Sequence, residues 1–130
     1  MADLKAEGKV AAIGLSNHDT LQLELAEKIA HVGSLQPPFS AINRLAAPQI
    51  GVAASRGTGV IAYSPMQSGL LTGAFSRERV ERLPADDWRH SHPDFTTGLD
   101  ANVALAAALV PIVQRHGVTP AAVAVAWVLA

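Results

Sequence analysis

The chain has 130 residues, 49% of them hydrophobic and 16% charged, with a formal net charge of −1. That length suffices for one ordinary domain with a core, and the near-neutral charge argues against a nucleic-acid or acidic-membrane surface, which a basic excess would serve. The absence of cysteine excludes disulfides, thiolate metal sites and a thiol nucleophile. The opening MADLKAEGK carries no apolar core of signal-peptide type, and apolar runs elsewhere are short and interrupted. The expectation is a soluble cytoplasmic protein without a membrane partner.

Ala2 to Glu7 read as the tail of a helix with Gly8 at its C-terminal cap, an abrupt start that suggests a missing upstream part. Val10 to Leu15 are nearly all apolar, as in a parallel strand buried on both faces. Asp19 and Gln22 have capping-box spacing for the next helix, in which Leu21, Leu25 and Ile29 recur at helical intervals. Glu24 and Lys28 form an exposed i,i+4 pair there, and Gly33 closes the helix. A very short strand follows at 32–36 and ends at Pro37 and Pro38. Between Ala41 and Ser55 the signal is weak, because Pro48 and Gly51 speak against a helix. The third strand spans Gly59 to Ala62. Val10, Leu35 and Val60 lie 25 residues apart, a spacing that suits βα units of a barrel, although no literal repeat accompanies it.

Residues 74–98 form a long polar stretch with Arg77, Arg79, Arg82 and Arg89, which predicts a functional or disordered loop. Asp100 is placed to cap a helix running to His116, with Pro111 kinking or splitting it and Gly117 ending it. Thr119 and Pro120 suit the N-cap and first position of a last helix. Residues 121–130 contain no polar side chain, so that helix should be buried all round, and no stop signal follows it. The two ends together read as one domain, residues 1–130, that is a piece of a larger fold.

The stretch Gly59–Gly73, GVIAYSPMQSGLLTG, carries the strongest chemical hint. Its apolar run breaks at Tyr63-Ser64-Pro65, and Gly69 and Gly73 let the backbone bend tightly or lie close to a ligand. That arrangement suits a nucleotide platform and equally an ordinary strand with a loop behind it. A second stretch, GKVAAIGLSN at 8–17, is built the same way and delivers Ser16 and Asn17 at a strand end. With LQPPFS at 35–40, LPADDWR at 83–89 and GVTPA at 117–121, these motifs resemble the aldo-keto reductase family in order and over nearly the whole chain. They match only the second half of that family's barrel. The resemblance implies an α/β fold, a partial (β/α)8 TIM barrel of about three parallel strands with flanking helices, truncated at both ends. A complete barrel typically needs about 250 residues.

The resemblance also implies a site for NADP (NADPH), with NAD open because the ribose-phosphate residues of the family lie outside the match. Ser16, Asn17 and Gln36 match positions that hydrogen-bond the nicotinamide carboxamide, and Tyr63 matches the ring that stacks on it. Ser64, Pro65, Met66, Gln67, Ser68 and Gly69 match the loop around the pyrophosphate, which needs hydroxyl and backbone donors. Many relatives carry lysine after GLLTG where this chain has Ala74, and Arg77 is a candidate substitute. Read without the resemblance, Ser16 and Asn17 suit helix capping, Gln36 an exposed strand end and Tyr63 core packing. If the cofactor reading holds, Asn17, Gln36 and Tyr63 should converge at the C-terminal ends of neighbouring parallel strands.

No Tyr/Lys/His/Asp set matches the family's catalytic residues, so none is assigned here. His90 and His92, near Asp86 and Asp87, lack a third ligand at recognisable spacing, so no metal site is assigned either. His18, His31 and His116 read as residues of surface turns or helix ends. The implied parent reaction is NAD(P)H-dependent reduction of a small carbonyl compound. The alternatives are a non-catalytic nicotinamide-binding or regulatory module and a non-functional truncated product. Uncovered sheet edges predict self-association.

Overall fold

Three short parallel strands, β1 (Gly14–Ser16), β2 (Ser34–Gln36) and β3 (Gly59–Val60), lie side by side in chain order. They belong to a computed structural model that describes residues 1–130. The chain divides into two compact units, one of Met1–Phe39 with Asn43–Tyr63 and one of Ser40–Ile42 with Ser64–Ala130. With its flanking helices, the architecture is the expected α/β arrangement.

The first unit holds the sheet and helices α1 (Ala2–Ala6), α2 (Thr20–Glu27) and α3 (Ala47–Ser55). Gly8 follows α1 in the left-handed region, at φ 72°. The capping box at α2 forms as its spacing predicts: Asp19 accepts from the Gln22 N–H at 2.8 Å, and the Gln22 side chain accepts from the Asp19 N–H at 2.9 Å. Register pairs Leu15 with Leu35 and Leu35 with Val60. Leu15 and Leu35 thus share one face, where Leu23, Val32, Leu35 and Ala53 form the buried core, with Leu15, Ala26 and Val52 packed against it. Full burial of a leucine or valine side chain contributes roughly 1.5–3 kcal/mol.

Several expectations for this unit are corrected. The first strand begins at Gly14 rather than Val10, and its residues are exposed or half-buried rather than covered on both faces. Ser16 pairs with Gln36, 20 residues on, so the uniform interval of 25 does not hold. Leu21, Leu25 and Ile29 are exposed, at 64%, 51% and 80%, while Leu23 is fully buried. The helix turns Leu23 and Ala26 to the core, and the more conspicuous leucine stripe faces away. Glu24 pairs with Arg56 at 3.1 Å instead of Lys28. The helix ends near Lys28, and Gly33 serves the sheet: its N–H donates to the Ile13 carbonyl, and its own carbonyl accepts from Gly59. Residues 47–55 are helical despite Pro48, which sits in the first turn, where a missing N–H costs nothing.

The second unit contains α4 (Arg77–Glu81), α5 (Leu99–Ala108), α6 (Val110–His116) and α7 (Pro120–Leu129), plus 3-10 turns at Gln67–Thr72, Trp88–His90 and Pro93–Phe95. The stretch 74–98 is therefore ordered locally rather than a structureless loop. Leu70, Phe75, Val80, Phe95 and Leu99 form its core. Arg89 is clamped by Asp87 through two side-chain bonds of 2.8 Å and lies over the Phe75, Trp88 and Phe95 rings, 5.6–5.9 Å from their centroids. The DDWR motif is thus a packing motif, held by charge-assisted bonds and by guanidinium–ring attraction.

The helix expected to run from Asp100 to His116 is split at Leu109, with Pro111 in the first turn of α6, and Gly117 ends α6 in the left-handed region at φ 62°. Asp100 does not cap α5; Gly98 takes that place, and Asp100 binds Arg77 at 2.6 and 2.7 Å. Thr119 caps α7 by accepting from the Ala122 N–H at 3.2 Å. The apolar last helix is not buried all round: Val125, Trp127 and Leu129 are 38%, 39% and 81% exposed. No single helix of the chain is long and apolar enough to cross a membrane.

Candidate cofactor site

The strand ends of the first unit bring Ser16, Asn17, Gln36 and Tyr63 together. Ser16 ends β1 and Gln36 ends β2, paired in register, so both project from the face opposite Leu15 and Leu35. The Ser16 hydroxyl and the Asn17 N–H both donate to the Gln36 carbonyl, at 3.2 Å each. Tyr63 lies beyond β3 but is held in the sheet direction by a parallel bridge to Pro38, its N–H donating to the Pro37 carbonyl at 3.0 Å. From there the Tyr63 hydroxyl donates to Asn17 Oδ1 at 2.8 Å, across 46 residues of sequence. The chain turns at Asn17 with φ 58°, a left-handed conformation that asparagine tolerates better than most residues.

This arrangement leaves defined chemistry at the surface. Asn17 uses its amide oxygen on Tyr63, so its amide nitrogen remains as a donor. Gln36 is exposed and offers both a donor and an acceptor, and Tyr63 is 37% exposed. A carboxamide ligand needs one acceptor and one donor, and an aromatic ligand needs a ring face; the cluster supplies all three. A cavity of about 180 Å³ opens beside it, lined by Gly14, Ser16, Ser34, Gln36 and Ile61 with Leu15. A Cβ at Gly14 would displace the Ser34 hydroxyl and lie 3.2 Å from the Ser34 carbonyl oxygen, so a small residue suits this position. His18, next along the chain, holds the Ser16 carbonyl through Nδ1 at 2.8 Å.

The loop Ser64–Gly69 belongs to the second unit and has unusual backbone. Ser64, Gln67, Ser68 and Gly69 have φ of 56°, 45°, 52° and 99°. Left-handed backbone costs a non-glycine residue roughly 1–2 kcal/mol, so such a run persists only where its surroundings hold it. Ser64, Met66 and Ser68 are exposed, and Pro65 and Gly69 are half-buried. Gly69 has a second constraint, since a Cβ would lie 2.9 Å from the Phe75 ring. The Gln67 side chain is engaged on both sides: Oε1 accepts from Ser40 at 2.8 Å, and Nε2 donates to Asp94 at 2.6 Å. Sequence reasoning did not single out Ser40 or Asp94, since no local pattern links positions 27 residues apart on either side of Gln67.

The remaining candidates are engaged elsewhere. Arg77, considered as a substitute for the lysine, is bound to Asp100. His90 Nε2 faces the Leu83 and Pro84 carbonyls, and His92 Nδ1 accepts from the Asp94 N–H at 3.2 Å. No three His, Asp or Glu side chains gather into a group able to hold a metal ion.

Three parallel strands with crossover helices, carrying polar residues at the strand C-termini, define an α/β protein. The profile of the Aldo/keto reductase family matches residues 1–130, and the chain belongs to that family. It is 32% identical to aldo-keto reductase str7 of Strobilurus tenacellus, over 100% of this chain and 40% of that protein. Aldo-keto reductase yakc [NADP(+)] of Schizosaccharomyces pombe is 27% identical over 95% of the chain and 37% of its own length. Among solved structures, the glycerol dehydrogenase AKR11B4 from Gluconobacter oxydans superposes with a TM-score of 0.90 at 28% identity, covering 98% of this chain and 39% of that one. The fold is thus part of a (β/α)8 barrel, and the chain spans about 40% of the length of these relatives.

Proposed function

We propose that the chain carries part of the nicotinamide-cofactor site of an NAD(P)H-dependent aldo-keto reductase, whose parent reaction reduces an aldehyde or ketone to an alcohol. The observation that supports it best is the strand-end cluster, in which Tyr63 and Asn17 are joined while Gln36 and Tyr63 are exposed. Asn17, Gln36 and Ser16 hold the carboxamide, and Tyr63 offers its ring to the nicotinamide. Ser64, Pro65, Met66, Gln67, Ser68 and Gly69 form the loop for the pyrophosphate, with the exposed Ser64 and Ser68 hydroxyls as donors. Gln67 contributes by shaping that loop, its side chain being engaged within the protein. When bound, the reduced nicotinamide supplies hydride to the carbonyl carbon. NADP(H) is the preferred cofactor in this reading, by likeness to the yakc protein, and NAD(H) is the comparison arm.

A second reading, a nicotinamide-binding module without catalysis, is favoured by one observation. The chain's one tyrosine is at position 63, and its hydroxyl is committed to Asn17. Within residues 1–130 that leaves no tyrosine as proton donor to a carbonyl.

Calorimetric titration with NADPH and NADH tests the site. Tyr63→Ala should weaken binding by roughly 1–3 kcal/mol, the scale of a lost stacking partner, while Tyr63→Phe should cost much less. Ala and Phe variants both equal to wild type would make Tyr63 a packing residue and remove the assignment. Steady oxidation of NADPH by the purified chain with a generic aldehyde would rule out the non-catalytic reading.

A further inference from the structure

The Gln67 amide lies between two fixed groups. Ser40 donates to Gln67 Oε1 at 2.8 Å and is itself fully buried, its hydroxyl also accepting from the Ile42 N–H at 3.2 Å. On the other side Gln67 Nε2 donates to Asp94 Oδ2 at 2.6 Å, a short charge-assisted bond. Asp94 is anchored in turn: its N–H donates to His92 Nδ1 at 3.2 Å, and its carbonyl accepts from Asn102 of α5 at 3.0 Å. A side chain gripped at both amide atoms cannot swing, and the backbone that carries it follows. That backbone is the left-handed run Gln67–Gly69, whose turn is closed by the Gly69 and Leu71 N–H groups donating to the Met66 carbonyl at 3.1 Å each.

We propose that Gln67 and Asp94 are positioning residues: the chain of hydrogen bonds Ser40–Gln67–Asp94 is a clasp that holds the Ser64–Gly69 loop in its left-handed form, and so in the shape that receives a diphosphate. The second half of this statement rests on the loop being the pyrophosphate site, as proposed above; the first half does not. Neither residue touches the ligand. Their effect reaches it only through the loop backbone, so affinity and loop order must change together.

The polarity of the clasp makes it testable. Gln67→Glu places two carboxylates face to face and should open the loop. Adding Asp94→Asn restores the bond with donor and acceptor exchanged, since the asparagine amide now donates to the glutamate. Hydrogen exchange at the Gly69 and Leu71 amides of the ligand-free chain reads loop order, and NADPH calorimetry reads the ligand side. Losing a hydrogen bond to a charged group contributes about a tenfold step or more, so exchange in Gln67→Glu should quicken by at least about tenfold and NADPH affinity should fall, with both recovering in the double variant. Asp94→Asn alone, which keeps an acceptor oxygen, should give a smaller increase in exchange and serves where Gln67→Glu fails to fold. Unchanged exchange in these single variants, or no recovery in the double variant, overturns the clasp. Faster exchange with unchanged NADPH affinity, or no NADPH binding by the wild-type chain, keeps the clasp and overturns the loop's assignment to the cofactor.

Discussion

The sheet unit and the loop unit hold their candidate residues by different means. In the first, Ser16, Asn17 and Gln36 are placed mainly by backbone pairing, and one side-chain bond from Tyr63 completes the cluster. In the second, the Ser64–Gly69 loop has no strand to lean on, and its shape depends on Gln67, on a glycine at 69 and on the Phe75 ring beneath it. Backbone pairing tolerates changes of side chain, because its hydrogen bonds are common to all residues but proline. A loop shaped by side chains does not. The first unit should therefore be robust at its site and fragile in its core, and the second fragile at the loop itself.

The largest effect should come from Gly69→Val, which joins an unfavourable φ to a collision with Phe75. A loss of about 3 kcal/mol or more is expected in urea unfolding followed by circular dichroism. A loss below about 1 kcal/mol would mean that the loop is not held as described. In the sheet unit, Leu35→Ala removes a fully buried side chain and should cost roughly 2–5 kcal/mol, whereas Leu21→Ala should stay within about 0.5 kcal/mol. Equal costs would show that Leu21 is covered like Leu35, and that the outer leucine stripe of α2 is not exposed.

An acid titration sharpens the contrast further. The side-chain bond from Arg89, helped by the Arg89 N–H, holds the Asp87 carboxyl below its ordinary value. A carboxylate lowered in the folded state contributes stability that is present above its unfolded pKa of about 3.9 and is lost as pH falls through the lower folded value. Asp87→Asn should therefore lower the urea midpoint at pH 6 and flatten its decline in the acid range below about pH 4. A variant whose midpoint declines as steeply as that of wild type would show that other carboxylates govern the acid response. As small as for Leu21→Ala, the effect of Arg56→Ala should be about 0.5 kcal/mol or less, because its partner Glu24 is 45% exposed. A loss above about 1 kcal/mol would place that pair among the organising contacts of the first unit.

Local chemistry made much of this protein legible in its residues. The Asp19–Gln22 box, Thr119 before Pro120, the break before Pro111 and the left-handed Gly117 depend on neighbours within four positions, so a short window contains the whole cause. Apolar runs mark the first and third strands to within a few residues, Pro37 and Pro38 close the second, and motifs that hold their order along the chain mark the family. Which face of α2 is buried could not be read that way: periodicity shows that faces exist, and the sheet beside Leu23 and Ala26 decides which one is covered. Pro48 misled for a related reason, since proline breaks a helix interior and suits a first turn, and the turn's location is a tertiary matter. The Tyr63–Asn17 bond and the Ser40–Gln67–Asp94 clasp join residues 27 to 46 positions apart. Their partners are chosen by the fold that brings them within 3 Å, and a hydrogen bond's reach of that length leaves no trace in the spacing of the sequence.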